Sequence, residues 1–175
     1  MKKISIIAFV LIINGFLCQG QKLPTFDIAT GGGFTEAIHW GCKIQITQKN
    51  QIGFYYGNSL MLYRYSYNSY NIDHQFHFGK TSDFSKRPVW FFRQGLSYSI
   101  DNAAYSEIKY LFISFCLGRE FNISPKVGFN LDLGLSRTLM EKERIKDPSI
   151  EPWFDVKMID LVVFPNLRLQ FFYSF

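Results

Sequence analysis

The sequence predicts an all-β chain of eight antiparallel strands closed up-and-down into a barrel. Three observations carry that prediction. Segments of about ten residues alternate bulky apolar with small or polar side chains, the period-two signature of a strand with one greasy face and one wet face. Eight such segments follow one another, separated by turn-forming or charged connections. Phe, Tyr and Trp make up 18% of the 175 residues while mean hydropathy is −0.01, so the apolar content is aromatic and interleaved.

The chain opens Met1-Lys2-Lys3, continues with an uncharged apolar run from Ile4 to Leu17, and reaches Cys18-Gln19-Gly20. A basic start, a short apolar core and small exit residues describe an N-terminal signal peptide at 1–20, leaving a barrel domain at 21–175. The run is shorter than the roughly 20 apolar residues of a spanning helix, which argues against a membrane anchor. Bulky Phe16 and Leu17 precede Cys18 where a lipoprotein site prefers small residues. The formal charge of +5 falls to about +3 without Lys2 and Lys3, and no basic cluster remains for nucleic acid.

The strands follow in order. Phe26 to Phe34 is Gly-rich and alternates weakly. After a tight link near Thr35, Ile38, Trp40, Cys42, Ile44 and Ile46 interleave cleanly with His39, Gly41, Lys43 and Gln45. The turn 47–50 leads to Ile52, Phe54 and Tyr56, set against Gly53, Tyr55 and Gly57. A loop rich in Tyr, Ser and Asn spans Asn58 to Ser69, and Tyr70, Ile72, His74, Phe76 and Phe78 follow against Asn71, Asp73, Gln75 and His77. A polar connection from Lys80 to Pro88 precedes Trp90, Phe92, Leu96 and Tyr98, where Gln94 breaks the apolar phase and leaves the register open. Beyond a loop at Asp101 to Glu107, Leu111, Ile113, Phe115 and Leu117 alternate with Tyr110, Phe112, Ser114 and Cys116. After the turn 121–126, the seventh segment is the clearest: Val127, Phe129, Leu131, Leu133 and Leu135 against Gly128, Asn130, Asp132 and Gly134. Arg137 to about Val163 is the longest connection, and the last strand, N-L-R-L-Q-F-F-Y-S-F, returns after Pro165.

Ten residues match a tilted membrane strand, and an aromatic-rich chain of neutral hydropathy suits strands that show lipid only half their residues. The fold expected is therefore a transmembrane barrel with both termini on the periplasmic side. On the signal peptide, the alternating segments and the closing L-R-L-Q-F-F-Y-S-F with Phe175, the chain resembles the small eight-stranded outer-membrane β-barrels of Gram-negative bacteria, porin-like proteins of the cell envelope. That resemblance implies an outer-membrane location among lipid and lipopolysaccharide. It also implies that Phe171, Tyr173 and Phe175 present the last strand to the barrel-assembly machinery.

With the apolar face toward lipid, the interior receives an interior polar network that includes His39, Lys43, Asp73, His77, Arg93, Asp132 and Arg168. An eight-stranded barrel is only wide enough for its own side chains, so these charges must pair. Counting from the inner turns pairs Asp73 with Arg93 and Asp132 with Arg168. His39 and His77 lack any fixed-spacing metal motif, and neither catalytic residues nor a cofactor are expected. Cys42 and Cys116 have opposite phases and are expected to be free, buried thiols.

The leading function is a non-enzymatic, structural or surface-interaction role through the outer loops, Ser59 to Ser69 and Glu141 to Glu151, with no extracellular partner identified. Two alternatives compete with it. A lipid-modifying acyl hydrolase or transferase needs a nucleophile, base and acid together; His74, Ser97 and Ser99 make only a thin constellation. A secreted lipocalin-like barrel would turn the apolar face inward, but the wet face has too few charges for a soluble exterior.

Overall fold

A computed structural model describes residues 26–59, 66–103, 106–146 and 163–175. The expected signal peptide at 1–20 lies outside the described residues, as do parts of both expected outer loops. The strands are β1 Phe26–Gly33, β2 Ala37–Gln45, β3 Asn50–Asn58, β4 Ser66–Thr81, β5 Pro88–Asn102, β6 Ser106–Asn122, β7 Val127–Ile145 and β8 Val163–Ser174. Each pairs antiparallel with its neighbour in sequence, and β8 returns to β1, so the sheet is a closed barrel. Closure leaves no strand edge to recruit other chains. The seam aligns Gly31 with Gln170 and Gly33 with Arg168. A Cβ at Gly31 would collide with the Leu169 carbonyl, which accounts for glycine at that position of β1.

The pleat sorts the side chains to two sides. Leu133 is 60% exposed and Phe171 48%, whereas Arg93 is 1% and Arg168 0%. The apolar residues thus form the outer wall and the charged ones the core, the reverse of a lipocalin-like barrel. Gln94 stays in phase on the outer wall, opposite His74. It is a polar substitution on the apolar face, and the register of β5 is regular around it.

Three connections at one end are short: 46–49, 82–87 and 123–126. At the other end the wall is uneven. β4 to β7 continue well past the segments read from alternation, and β7 runs to Ile145, so Glu141 to Ile145 is strand rather than loop. The cause is a bulge: Leu111 pairs with Met140 and Phe112 with Thr138, leaving Leu139 as the extra residue. A bulge shifts the strand's phase, and beyond it both faces of β7 are exposed. Alternation therefore stops marking the strand at about Ser136. Cys42 and Cys116 are both free; Cys116 is buried, but Cys42 is only half-buried on the outer wall.

Candidate functional site: the charged interior

Two clusters of ion pairs fill the described interior. The middle one is built on Asp132 of β7, whose two oxygens accept from different arginines. Arg93 Nη2 donates to Oδ1 at 2.7 Å and Arg168 Nε to Oδ2 at 3.0 Å. Arg168 Nη1 also donates to Asp73 Oδ2 at 2.6 Å, and its guanidinium lies 5.4 Å over the Tyr55 ring. Asp73 therefore meets Arg168, not Arg93. Asp73 is paired in register with Gly95, two residues from Arg93, and Arg93 reaches around the barrel wall to β7.

Arg93 Nη2 also reaches Cys116 Sγ at 3.2 Å, and the second carboxylate for Arg93 comes from the connection 34–36. Arg93 Nη1 donates to Glu36 Oε1 at 3.0 Å, while Glu36 Oε2 lies 3.3 Å from His39 Nδ1 and 3.5 Å from Arg168 Nη1. Tyr67 Oη donates to the Thr35 carbonyl at 2.7 Å and Ser69 Oγ to the Glu36 carbonyl at 3.0 Å, which hold the turn down into the lumen. Burial opposes the charged form of Glu36, but Arg168 and Arg93 outweigh it and hold the carboxyl below its usual range.

The second cluster lies toward the short-turn end, and Arg87 organises it from the connection 82–87. Arg87 Nη1 donates to Asp27 Oδ2 at 2.8 Å, and Nε lies 3.2 Å from Glu120 Oε2. Lys43 Nζ lies 3.9 Å from Asp27 and 4.5 Å from the Phe172 ring centroid. Gln51 Nε2 donates to Asp27 at 2.8 Å, and His77 Nδ1 donates to the Pro88 carbonyl at 2.9 Å.

Both turns insert a charge, and both carry a non-glycine residue of positive φ beside it. Ala37 follows Glu36 with φ 52°, and Lys86 precedes Arg87 with φ 59°. Left-handed backbone costs such residues about 1–2 kcal/mol. It persists here because the inserted charge is tied to several partners at once.

His39, Asp73, Arg93, Asp132 and Arg168 thus share the middle cluster, while Lys43 and His77 belong to the lower one. Glu36, Asp27, Arg87 and Glu120 complete the two sets and were not among the residues chosen from sequence. His39 and His77 do not converge, and no group of three metal-ligating side chains occurs among the described residues. His74 lies on the outer wall whereas Ser97 and Ser99 are buried inside, so that constellation is divided between opposite faces.

Fold and interior together define an inside-out barrel, ion-paired within and aromatic-aliphatic without. No protein-family model and no curated protein matches the chain. Among solved structures it is similar to CarO of Acinetobacter baumannii, at 9% identity over 90% of this chain and 100% of that one, with a TM-score of 0.45. It is also similar to the de novo designed TMB2.3, at 14% identity over 89% of this chain and 96% of that one, with a TM-score of 0.40. At these values the likeness says nothing of this chain's role, and the eight-stranded barrel is read from its own strand pairing.

Proposed function

We propose that this chain is an integral outer-membrane β-barrel protein, exported by its N-terminal signal peptide, non-enzymatic, and filled by its own side chains. The observation that carries the reading is the sorting of faces. A wall of exposed Leu, Ile, Phe and Trp around an ion-paired core is costly in water and favourable in a bilayer. The opposed turn charges, Glu36 and Arg87, act as stoppers tied to the wall, so the barrel is a membrane-anchored support and not a conduit. Its role is exerted at the long-connection end, through a structural contribution to the envelope or contact with an outside partner.

Lipid and lipopolysaccharide are its surroundings on this reading. Phe171 and Tyr173 lie on the outward face of β8 and the exposed Phe175 follows its last residue; these three would be the residues offered to the barrel-assembly machinery. Membrane fractionation with carbonate washing, followed by gels of unboiled and boiled samples, tests the proposal. Retention in the outer membrane with a heat-dependent shift in migration supports it; release as a soluble folded species overturns it.

A further inference from the structure

Beyond the apolar wall, the hairpin of β6 and β7 carries opposite charges on its two faces. The outward-facing residues of β6 run Arg119, Leu117, Phe115, Ile113, Leu111 and Lys109. Arg119 and Lys109 are ten positions apart, about 34 Å along the strand. At a tilt of roughly 40° this is about 26 Å of depth, against an apolar band about 25 Å tall. Arg119, its guanidinium 5.3 Å over the Trp90 ring, marks one interface, and Lys109 marks the other, at the long-connection end.

At that second interface Lys109 stands directly opposite Lys142 of β7. Like charges in opposed positions repel. The next pair outward is Glu107 with Arg144, and Lys109 Nζ lies 3.1 Å from Glu107 Oε1. Among the described residues of this face, Glu107 is thus the one carboxylate beside Lys109, Lys142 and Arg144. Arg137 adds a further cation, one step inside the band, with a side chain long enough to reach its edge. Lys146 is committed elsewhere, donating to the Ala103 carbonyl at 3.0 Å. The face toward the barrel mouth is the reverse: Glu141 stands opposite Tyr110, and Glu143 and Asp101 flank Ile108.

The bulge at Leu139 sets these signs. Without the extra residue, the outward phase of Leu133, Leu135 and Arg137 would continue to Glu141 and Glu143. With it, Lys142 and Arg144 turn outward and the two glutamates turn toward the mouth.

We propose that the outward face of this hairpin binds the phosphate groups of a lipopolysaccharide molecule in the outer leaflet, held among Lys109, Lys142 and Arg144. The inference rests on the membrane reading above. A phosphate between the two lysines turns their repulsion into attraction. A lipid delivers it at this depth, because its acyl chains lie along Leu111, Ile113 and Met140 on the same face. A soluble anion arriving through the mouth meets three carboxylates, which repel it.

The test uses the processed chain, reconstituted into phosphatidylcholine vesicles and washed with carbonate. Loss of the protein in that wash overturns the membrane reading and the lipid site together. Retained protein is extracted in neutral detergent and titrated with diphosphoryl lipid A, and native mass spectrometry reads the binding. Lys109→Gln and Lys142→Gln are each expected to weaken it roughly fivefold, the scale of one cation at an anionic lipid surface. Glu141→Gln with Glu143→Gln, on the other face, leaves it no weaker. A heat-dependent gel shift verifies that each variant is folded. Undiminished binding in the double lysine variant, equal binding of dephosphorylated lipid A, or displacement by inorganic phosphate beyond that of chloride at equal ionic strength overturns the site and leaves the membrane reading standing.

Discussion

The Glu36 carboxylate lies 3.0 Å from Nη1 of Arg93, although one residue belongs to a short turn and the other to the middle of β5. The turn thus closes the barrel from inside as well as joining two strands. With its arginine partners held by Asp132 and Asp73, Glu36 makes the β1–β2 connection part of the core. Removing its charge leaves guanidinium groups buried with fewer counter-charges.

Glu36→Gln keeps the size of the side chain and removes the charge. Breaking a buried pair from one side costs about 3–5 kcal/mol. The neighbouring carboxylates Asp132 and Asp73 still partner both arginines, so the lower end of that range is expected. Urea unfolding of the reconstituted barrel, followed by tryptophan fluorescence, measures it. A loss below about 0.5 kcal/mol contradicts the placement of Glu36.

The same residue sets an acid dependence. Its folded carboxyl is held below the usual range by Arg168 and Arg93 against the opposing effect of burial. A depressed folded value means that the stabilisation is fully present above the unfolded value, about 4.3. It is lost as pH falls through the folded value. Wild-type stability is therefore expected to decline below about pH 5 more steeply than that of Glu36→Gln, with the two curves converging in acid. Parallel curves from pH 7 to pH 3 would be inconsistent with an ionised Glu36.

Ala37 holds φ at 52° immediately after Glu36. Glycine adopts that conformation without the Cβ penalty, so Ala37→Gly is expected to stabilise the barrel by up to about 1 kcal/mol, less what the freer unfolded chain takes back. Ala37→Val should destabilise by more than that. The same unfolding assay decides, and equal stabilities for all three residues would mean that the turn is unstrained.

Much of the barrel was legible because each strand separates two media. From Ile38 to Ile46 and from Val127 to Leu135 successive residues change side, and the sequence records it. Legibility failed where that contrast ended. Past the bulge at Leu139 both faces of β7 are exposed, so Glu141 to Ile145 reads as a charged loop. Glu36 and Arg87 were missed for a related reason. They enter the core from turns, where no periodicity says which way a side chain points. The available signal was the tightness of the link at Thr35, which leaves little room for a charged side chain to do anything but fold over the rim. The Asp73–Arg93 pairing failed because height along neighbouring strands is a poor guide for arginine, whose reach lets Arg93 contact β7 from β5.

A filled interior also has a packing consequence. A Cβ at Gly118 would collide with the Phe91 ring and crowd Asp132. Gly118→Ala is therefore expected to destabilise by about 1–3 kcal/mol through overpacking. An unchanged midpoint would indicate that space remains there. In planar bilayers the wild-type barrel should give no stepwise conductance, since Arg87 and Glu36 occupy the lumen from opposite ends.

The account depends most on which medium the apolar wall meets, and depth-dependent quenching measures that directly. Single tryptophans placed at Leu133 and at Asn130, neighbouring positions of opposite phase on β7, are read in vesicles whose acyl chains carry bromine. Strong quenching at 133 and little at 130 is the predicted result. Equal quenching at both, or none at 133, would contradict it.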